Sequence, residues 1–140
     1  MDFASFKEQV GKISGLIVVD AFSPDLIVGV ARGGWVPALL LSRLLGVKKL
    51  CSYGLGYADK ARTVIQVYQR VDPADDVRNI LVVEDFLESG KCIKYATEEL
   101  ATRGRDVRTV ALGYLEKTLL IPTYSLGRVE EIPPMPWDDR

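Results

Sequence analysis

Apolar residues near the start of the chain recur at steps of three and four. They are Phe3, Phe6, Val10, Ile13 and Ile17. This spacing places them on one face of a helix, which we predict over residues 2–22, up to a Ser-Pro-Asp turn. A Leu-rich run predicts a second helix over residues 35–45, with a proline in its first turn and a glycine at its end.

Short runs of apolar and β-branched residues alternate with these helices. They predict strands over residues 26–30, 49–53, 63–68, 80–83 and 107–112 and a third helix over residues 91–102. Continuous apolar strands between helices are typical of a parallel sheet covered on both faces. We therefore expect an α/β fold, a Rossmann-like parallel sheet flanked by helices, in a single domain over residues 1–140. The polar stretch over residues 54–62 is expected to be a mobile loop.

The composition narrows the choice of function. The 140 residues are 48% hydrophobic and 26% charged, and the net charge of −1 gives no basic surface for nucleic acid. No apolar run approaches the ~20 residues of a membrane span. We expect a cytoplasmic protein with two reduced cysteines and no membrane or nucleic-acid partner. The chain has no histidine, so acid–base chemistry would fall to Asp, Glu, Lys or Tyr.

The strongest chemical pattern follows the strand predicted over residues 80–83. Two acids, Glu84 and Asp85, end the apolar run, and a third, Glu88, precedes a Ser-Gly-Lys turn at the start of a helix. Paired carboxylates can hold ribose hydroxyls and a metal ion, while the N–H groups of the turn and the helix N-terminus can take a phosphate. The pattern predicts a site for a phosphorylated sugar. The alternative is a solvated strand end with Glu88 as an exposed helix acid.

A second strand end carries unusual residues. Arg32, Gly33 and Gly34 follow the strand over residues 26–30, and both strand ends would open on the same edge of the sheet. Two glycines let a ligand approach the backbone closely, and the arginine can attract pyrophosphate. A simple tight turn remains the alternative.

These segments resemble the type I phosphoribosyltransferases. That family carries four apolar residues, two acids, two apolar residues, an acid or small residue, and then a Ser/Thr-Gly turn, as residues 80–92 do here. Residues 29–34 match its Arg-Gly-Gly type of turn, and the Pro-Trp-Asp of residues 136–138 is similar to the end of the short xanthine–guanine enzymes. The resemblance implies the family fold, with a small C-terminal hood over about residues 114–140.

The resemblance also implies a reaction. A nucleobase would take the phosphoribosyl group from phosphoribosyl pyrophosphate and release pyrophosphate. Glu84 and Asp85 would hold the ribose hydroxyls and Mg²⁺, and Glu88 would assist proton transfer at the base. The 5′-phosphate would be held by the turn residues Ser89, Gly90, Lys91 and Cys92. The pyrophosphate would be held by Arg32, Gly33 and Gly34, and the Arg32–Gly33 peptide is often cis in this family.

Further assignments rest on the same resemblance. In the loop, Tyr57, Lys60 and Arg62 are candidates for pyrophosphate contact, or are simply solvated. Lys117 would contact the exocyclic oxygen of an oxo-purine, or is a surface lysine. Three residues depart from the family pattern: Ile132 in place of a stacking aromatic, Glu88 in place of aspartate, and Cys92 in place of a hydroxyl residue.

The expected function is therefore a purine phosphoribosyltransferase for xanthine, guanine or hypoxanthine, acting with Mg²⁺ as a homodimer or homotetramer. Two alternatives remain. One is a regulator that senses phosphoribosyl pyrophosphate or nucleotides without turnover, which the three departures motivate. The other is a doubly wound phosphate-binding domain with unrelated chemistry. Trp35 and Trp137 are expected to be core or subunit-contact residues rather than platforms for a ligand.

Overall fold

The structure, a computed structural model, describes residues 1–138, so Asp139 and Arg140 of the predicted domain and hood lie outside it. The helices are α1 (Phe3–Val19), α2 (Trp35–Leu45) and α3 (Lys91–Leu100). The strands are β1 (Leu26–Ala31), β2 (Leu50–Tyr57), β3 (Ile65–Gln69), β4 (Asn79–Val83), β5 (Phe86–Leu87), β6 (Asp106–Val110) and β7 (Gly113–Tyr114). Among the described residues, no helix is both long enough and apolar enough to cross a membrane.

The main sheet has the order β3-β2-β1-β4-β6. Its β1, β2, β4 and β6 are parallel, whereas β3 runs antiparallel to β2. The prediction of a parallel sheet is therefore wrong for this edge strand. The connection over residues 58–64 is too short for the crossover that a parallel neighbour needs.

The boundary of the predicted loop is also corrected. Residues 54–57 are not loop but the end of β2, where they pair with β3 from Gly54↔Gln69 to Tyr57↔Ile65. Alternating glycines hid this strand in the sequence, since glycine has low strand propensity. The loop proper is the shorter segment 58–64.

Helices cover both faces of the sheet. On one face, α1 and α2 bury Phe6, Val10, Ile13, Ile17, Ala38 and Leu41 against alternate residues of β1, β4 and β6. On the other face, α3 buries Ile93, Ala96 and Leu100. The apolar stripe predicted for the first helix is confirmed, but the helix ends at Val19 rather than Phe22. Ala21 there takes a left-handed φ of 57°, and the Phe22 amide donates back to the Ile17 carbonyl at 3.3 Å.

The segment predicted as a hood begins with β7, which pairs with β5 in a separate two-stranded sheet. Its far end returns to α1, where the Trp137 ring packs edge-on against Phe6 with centroids 5.0 Å apart. Trp137 is thus a packing residue, as expected. Trp35 is not a core residue, because 39% of its surface is exposed on α2.

Close approach of backbones requires glycine at the start of α2. A Cβ on Gly34 would overlap the Val83 carbonyl oxygen. It would also lie 2.8 Å from the Val30 carbonyl oxygen. A Cβ on Gly33 would lie 2.6 Å from Asp85 Oδ2. Both glycines therefore let the loop after β1 pack directly against the end of β4.

Gly34→Ala is expected to destabilise the protein by about 3 kcal/mol, because the added methyl group meets backbone atoms that cannot rotate away. Gly11→Ala is the matched control: its Cβ would meet nothing within 4 Å, and alanine should gain about 0.5–1 kcal/mol at this helical position. Unfolding in guanidinium chloride measures the free energy of unfolding of the parent and of both variants. Equal stability of Gly34→Ala and the parent would contradict the close approach.

Asp25 ties the start of β1 to the start of β4. Its carboxylate accepts hydrogen bonds from the amides of Asn79 at 2.8 Å and Arg78 at 2.9 Å, and these bonds hold its pKa below the ordinary 3.8. Because the folded-state pKa is depressed, this stabilisation is present above pH 3.8 and is lost as the pH falls through the folded-state value.

Asp25→Ala should therefore lower the free energy of unfolding at pH 7 by about 1–2 kcal/mol, since two amides lose their acceptor. The deficit should shrink as the pH falls from 3.8 through the folded-state pKa of Asp25, because the parent carboxylate becomes protonated over this range. Urea unfolding between pH 2 and pH 7 measures the size of the deficit and its change with pH. Asp76→Ala, at an exposed loop position, is the control, and a deficit that does not change with pH would refute the assignment.

Candidate active site

The two predicted strand ends are neighbours in space. β1 and β4 lie side by side, with Gly29 opposite Val83. After β1 the chain crosses to β2 on one side, whereas after β4 it crosses to β6 on the other. The loops diverge at this point and leave a crevice beyond the carboxyl ends of the strands, which is where open α/β sheets bind ligands.

A cavity of about 450 Å³ occupies this crevice. Of the predicted residues, those that line it are Gly33, Tyr57, Arg62, Glu84, Asp85, Glu88, Ser89, Gly90, Lys91, Cys92, Lys117 and Ile132. Arg32, Gly34 and Lys60 do not line it. Arg32 instead faces a larger neighbouring cavity of about 980 Å³ beside β2.

A cis peptide bond stands at the edge of the crevice, between Ala31 and Arg32. The resemblance pointed to the Arg32–Gly33 peptide, so the position is corrected by one residue toward the N-terminus. The cis bond lies at the last residue of β1, just before the two glycines that pack against β4.

Glu84 and Asp85 form a partly buried acidic pair. Burial raises the pKa of Glu84 well above its usual range, and the neighbouring Asp85 carboxylate raises it further. Burial is also the main reason why the pKa of Asp85 is raised. The Phe86 amide, which donates a 2.6 Å hydrogen bond to Asp85 Oδ1, lowers this pKa but does not offset the effect of burial. Within residues 1–138, neither carboxylate has an ion pair with a lysine or arginine. The pair therefore lacks a cation that would favour its ionised form.

The donor set fits Mg²⁺, which binds proteins through one or two carboxylates and completes its shell with water and substrate phosphates. The described residues contain no cluster of three or more acidic or cysteine side chains that could enclose a metal ion alone. A metal held by Glu84 and Asp85 would therefore need further oxygen ligands from water or a substrate.

The turn before α3 is shaped for an anion. Gly90 is the N-cap of α3, in a left-handed conformation with φ 73°, and it has no side chain that could cap the N-terminal amides. The Ser89 hydroxyl accepts a 3.3 Å hydrogen bond from the Lys91 amide. Uncapped N–H groups at a helix N-terminus, together with the helix dipole, favour negative charge.

The hood supports this turn from behind, which sequence reasoning did not foresee. The Leu119 amide donates to the Ser89 carbonyl at 2.8 Å, and a Cβ on Gly90 would lie 2.5 Å from the Thr118 hydroxyl. Ala61, Phe86, Leu87 and Ile93 also line the cavity without having been predicted to do so. Their spacing carried no local signal, because only the packing of distant segments brings them together.

Three charged side chains meet above the turn. Glu88 accepts hydrogen bonds from Lys117 and from Arg62, each at 3.2 Å. Lys117 is the main cause that holds the pKa of Glu88 below its ordinary value. Glu88 is therefore a carboxylate at neutral pH, with the hood on one side and the loop over residues 58–64 on the other.

Tyr57 and Cys92 complete the wall of the cavity. The hydroxyl groups of Tyr57 and Ser89 are 3.3 Å apart, within hydrogen-bond range. Burial raises the pKa of the Tyr57 hydroxyl and of the Cys92 thiol, so both are protonated at neutral pH. Neither group is poised as a nucleophile.

Comparisons with known proteins identify the family of this chain. The family model "Phosphoribosyl transferase domain" matches residues 4–124. A xanthine-guanine phosphoribosyltransferase of Idiomarina loihiensis is 33% identical over 76 residues, which are 53% of this chain and 47% of that protein, so the match spans about half the length of the relative.

Solved structures share the fold. The purine phosphoribosyltransferase of Pyrococcus horikoshii superposes with a TM-score of 0.87 at 23% identity, covering 100% of this chain and 93% of that one. The xanthine-guanine-hypoxanthine phosphoribosyltransferase of Helicobacter pylori gives a TM-score of 0.83 at 16% identity, covering 93% and 86%. The resemblance seen in the sequence is confirmed, and the chain belongs to the phosphoribosyl transferase domain family.

Proposed function

We propose that this chain is a phosphoribosyltransferase that moves the 5-phosphoribosyl group from phosphoribosyl pyrophosphate to an oxo-purine base and releases pyrophosphate. One observation carries the proposal. The uncompensated acidic pair Glu84–Asp85 and the uncapped N-terminus of α3 line the same cavity. A ligand that suits both must carry a phosphate at one end and hydroxyl groups or a metal-bound oxygen at the other.

The 5′-phosphate binds at the turn before α3. The amides of residues 90–93 and the Ser89 hydroxyl can donate to its oxygens, and Lys91 adds a positive charge. Cys92 contributes its amide rather than its side chain, because a neutral thiol is a weak donor.

The ribose lies over the acidic pair. Glu84 and Asp85 accept hydrogen bonds from the 2′- and 3′-hydroxyls. The same carboxylates would hold Mg²⁺, which would supply positive charge that offsets the pyrophosphate. Both pKa values are raised by burial in the free protein. A bound cation or a positively charged sugar favours the ionised carboxylates, so ligand binding should lower both pKa values.

The pyrophosphate lies toward the loop after β1. Gly33 has no side chain between its backbone and the cavity, so its N–H group can approach an anion directly. Arg32 and Gly34 flank that group in the same loop, although only Gly33 reaches the cavity. Lys60 belongs to the other loop that borders this end and is a further candidate for pyrophosphate contact.

The base lies between the turn and the hood, near Glu88, Lys117 and Ile132. The Lys117 ammonium can donate to the exocyclic oxygen at position 6 of an oxo-purine, which an adenine lacks. Glu88, held in its ionised form, can accept a proton from a ring nitrogen. The Lys117 ammonium donates to Glu88 at 3.2 Å, so a base that binds both must insert into or replace this pair.

These positions support a dissociative transfer. Positive charge develops on the ribose as the bond to pyrophosphate lengthens, and the Glu84 and Asp85 carboxylates lie beneath it. Negative charge develops on the leaving group, which faces the N–H groups of the loop after β1. Fixed charges and dipoles of this kind stabilise a transition state without reorganising.

Assembly and location complete the proposal. Leu39, 43% exposed, and Trp35 share the outer face of α2, and apolar side chains in such a position suit a contact between copies of the chain. We propose a cytoplasmic homodimer or homotetramer that binds neither nucleic acid nor membrane.

A regulator that senses phosphoribosyl pyrophosphate without turnover is the second candidate. It is favoured by Ile132, which lines the cavity at the position where the family resemblance implies an aromatic ring. Isoleucine packs on a base but offers no stacking, so a nucleobase would be held weakly. The regulator predicts binding of phosphoribosyl pyrophosphate with no release of pyrophosphate for any base.

Asp85→Asn should reduce turnover by about 1,000-fold or more, because the charge that faces the developing cation is lost. The assay is pyrophosphate release from magnesium–phosphoribosyl pyrophosphate with xanthine, guanine, hypoxanthine, adenine, orotate or uracil. Asp76→Asn makes the same chemical change at an exposed loop position and should keep parent activity. Parent-like turnover by Asp85→Asn would remove this residue from the mechanism, and a silent parent that still binds phosphoribosyl pyrophosphate would favour the regulator.

Ile132→Phe should lower the KM for the base about tenfold and leave kcat nearly unchanged, since stacking of a base on an aromatic ring is worth about 1–3 kcal/mol. Steady-state kinetics with the preferred purine measures both constants. Ile121→Phe, at a hood position 66% exposed and outside the cavity, is the control. An unchanged KM would place the base away from Ile132.

A further inference from the structure

A segment of the hood runs beside the turn before α3. The Leu115 amide donates to the Leu87 carbonyl at 2.8 Å. Further along, the Leu119 amide donates to the Ser89 carbonyl at the same distance. These two bonds extend the pairing of β5 with β7 into the turn that is proposed to hold phosphate. Because more residues lie between the two bonds on the hood side than on the other, the hood side must bulge outward.

The bulge is a tight turn that carries Lys117. It closes with a 3.1 Å hydrogen bond from the Thr118 amide to the Leu115 carbonyl, which puts Lys117 at the third position of a β-turn. From there the Lys117 ammonium reaches Glu88, but 64% of the lysine side chain and 45% of the glutamate side chain are exposed. Exposed ion pairs are weak, so the backbone of the turn sets the position of Lys117.

The Thr118 hydroxyl fixes the end of this turn. Its Oγ1 donates to the Leu120 carbonyl at 3.0 Å and accepts a 3.4 Å hydrogen bond from the Leu120 amide. The same oxygen would lie 2.5 Å from a Cβ on Gly90, so it rests directly against the backbone of the phosphate turn. Thr118 is half-buried and does not line the cavity. It therefore acts on a ligand in the cavity only through its neighbours.

These neighbours serve different ends of the proposed ligand. Lys117, before Thr118, reaches toward the base. Leu119, after Thr118, holds the Ser89 carbonyl at the phosphate end. Since a single residue separates the two, the distance between the base end and the phosphate end depends on the conformation of Thr118.

We propose that Thr118 is a positioning residue that sets the spacing between the base-binding and the phosphate-binding groups of the site. The inference deepens the proposed function and rests on it, because both ends are assigned there. A ligand that carries a base and a phosphate makes both contacts at once only if this spacing fits.

Loss of the spacing has a distinct signature. Thr118→Val keeps the shape of the side chain but removes the hydroxyl, which detaches the turn from Leu120 and puts a methyl group against Gly90. A ligand that reaches one end alone should be little affected, because that end can shift with it. A ligand that reaches both ends should bind about tenfold more weakly, since a misplacement of about 1 Å can cost up to about 100-fold.

The test is isothermal titration calorimetry with inosine 5′-monophosphate, ribose 5-phosphate and hypoxanthine. For Thr118→Val we expect the Kd of the nucleotide to rise about tenfold and that of each fragment to rise less than about twofold. A loss for the nucleotide that is no larger than the product of the two fragment losses would overturn the proposal. Unchanged binding of all three compounds would overturn it as well.

Two further variants control this comparison. Thr118→Ser keeps the hydroxyl and should bind all three compounds as the parent does. Thr102→Val makes the same chemical change at an exposed position after α3 and should also match the parent. Unfolding in guanidinium chloride shows whether Thr118→Val is folded, and Thr118→Ala takes its place if it is not. Parent-like loss in Thr118→Ser of the size seen in Thr118→Val would exclude the hydroxyl as the cause.

Steady-state release of pyrophosphate gives an independent reading. The transition state joins the base to the ribose and so spans both ends of the site. Thr118→Val should therefore lower kcat about tenfold and leave the KM for phosphoribosyl pyrophosphate and for hypoxanthine nearly unchanged, and Thr118→Ser should restore kcat. A higher KM with an unchanged kcat would show that Thr118 supports binding at one end only, which overturns its role in spacing.

The two proposals can fail separately. If the parent binds the three compounds and releases pyrophosphate, but Thr118→Val does so equally well, the role of Thr118 is wrong and the proposed function stands. If the parent binds neither ribose 5-phosphate nor hypoxanthine, the proposed function fails, and the positioning role of Thr118 fails with it.

Discussion

The site depends on the direct pairing of β1 with β4. These strands come from distant parts of the chain, yet their ends carry the Arg32-Gly33-Gly34 loop and the acidic segment that starts at Glu84. They can lie this close only because Gly34 has no side chain next to the Val83 carbonyl oxygen and Gly33 has none next to Asp85. Sheet order, close approach and the crevice are therefore one arrangement rather than three separate features.

Charge within this arrangement is distributed unevenly. The acidic pair under the proposed ribose has no cationic partner among residues 1–138, whereas Glu88 has two, Lys117 and Arg62. A buried carboxylate pair without a partner is costly for a folded protein. Such a cost is typical of functional sites, where a ligand or metal ion supplies the missing charge. By contrast, the exposed Glu88 network costs little to form and little to rearrange.

Much of the fold and of the candidate site could be predicted from the sequence, because the patterns that indicate them are local. The apolar stripe of α1, the buried run of β4 and the acids that follow it depend on neighbouring residues. Other features result from the packing of segments far apart in sequence, and neighbouring residues do not predict them. These are the direction of β3, the cis bond before Arg32 and the orientation of Arg32 toward a different cavity. The contacts that Arg62 makes with Glu88 and Lys91 are of the same kind, since these two residues lie far from Arg62 in the sequence.

The contact of Trp137 with Phe6 joins the two ends of the described chain. Such a contact closes nearly the whole chain into a loop, and contacts between distant residues are slow to form. It also has a consequence for synthesis on the ribosome. Ile132 lines the cavity and belongs to the segment that Trp137 anchors, and this segment is made after the sheet and the turn before α3. A nascent chain could form the sheet and the phosphate turn, but the base end of the site would stay incomplete until residues 132–137 left the exit tunnel.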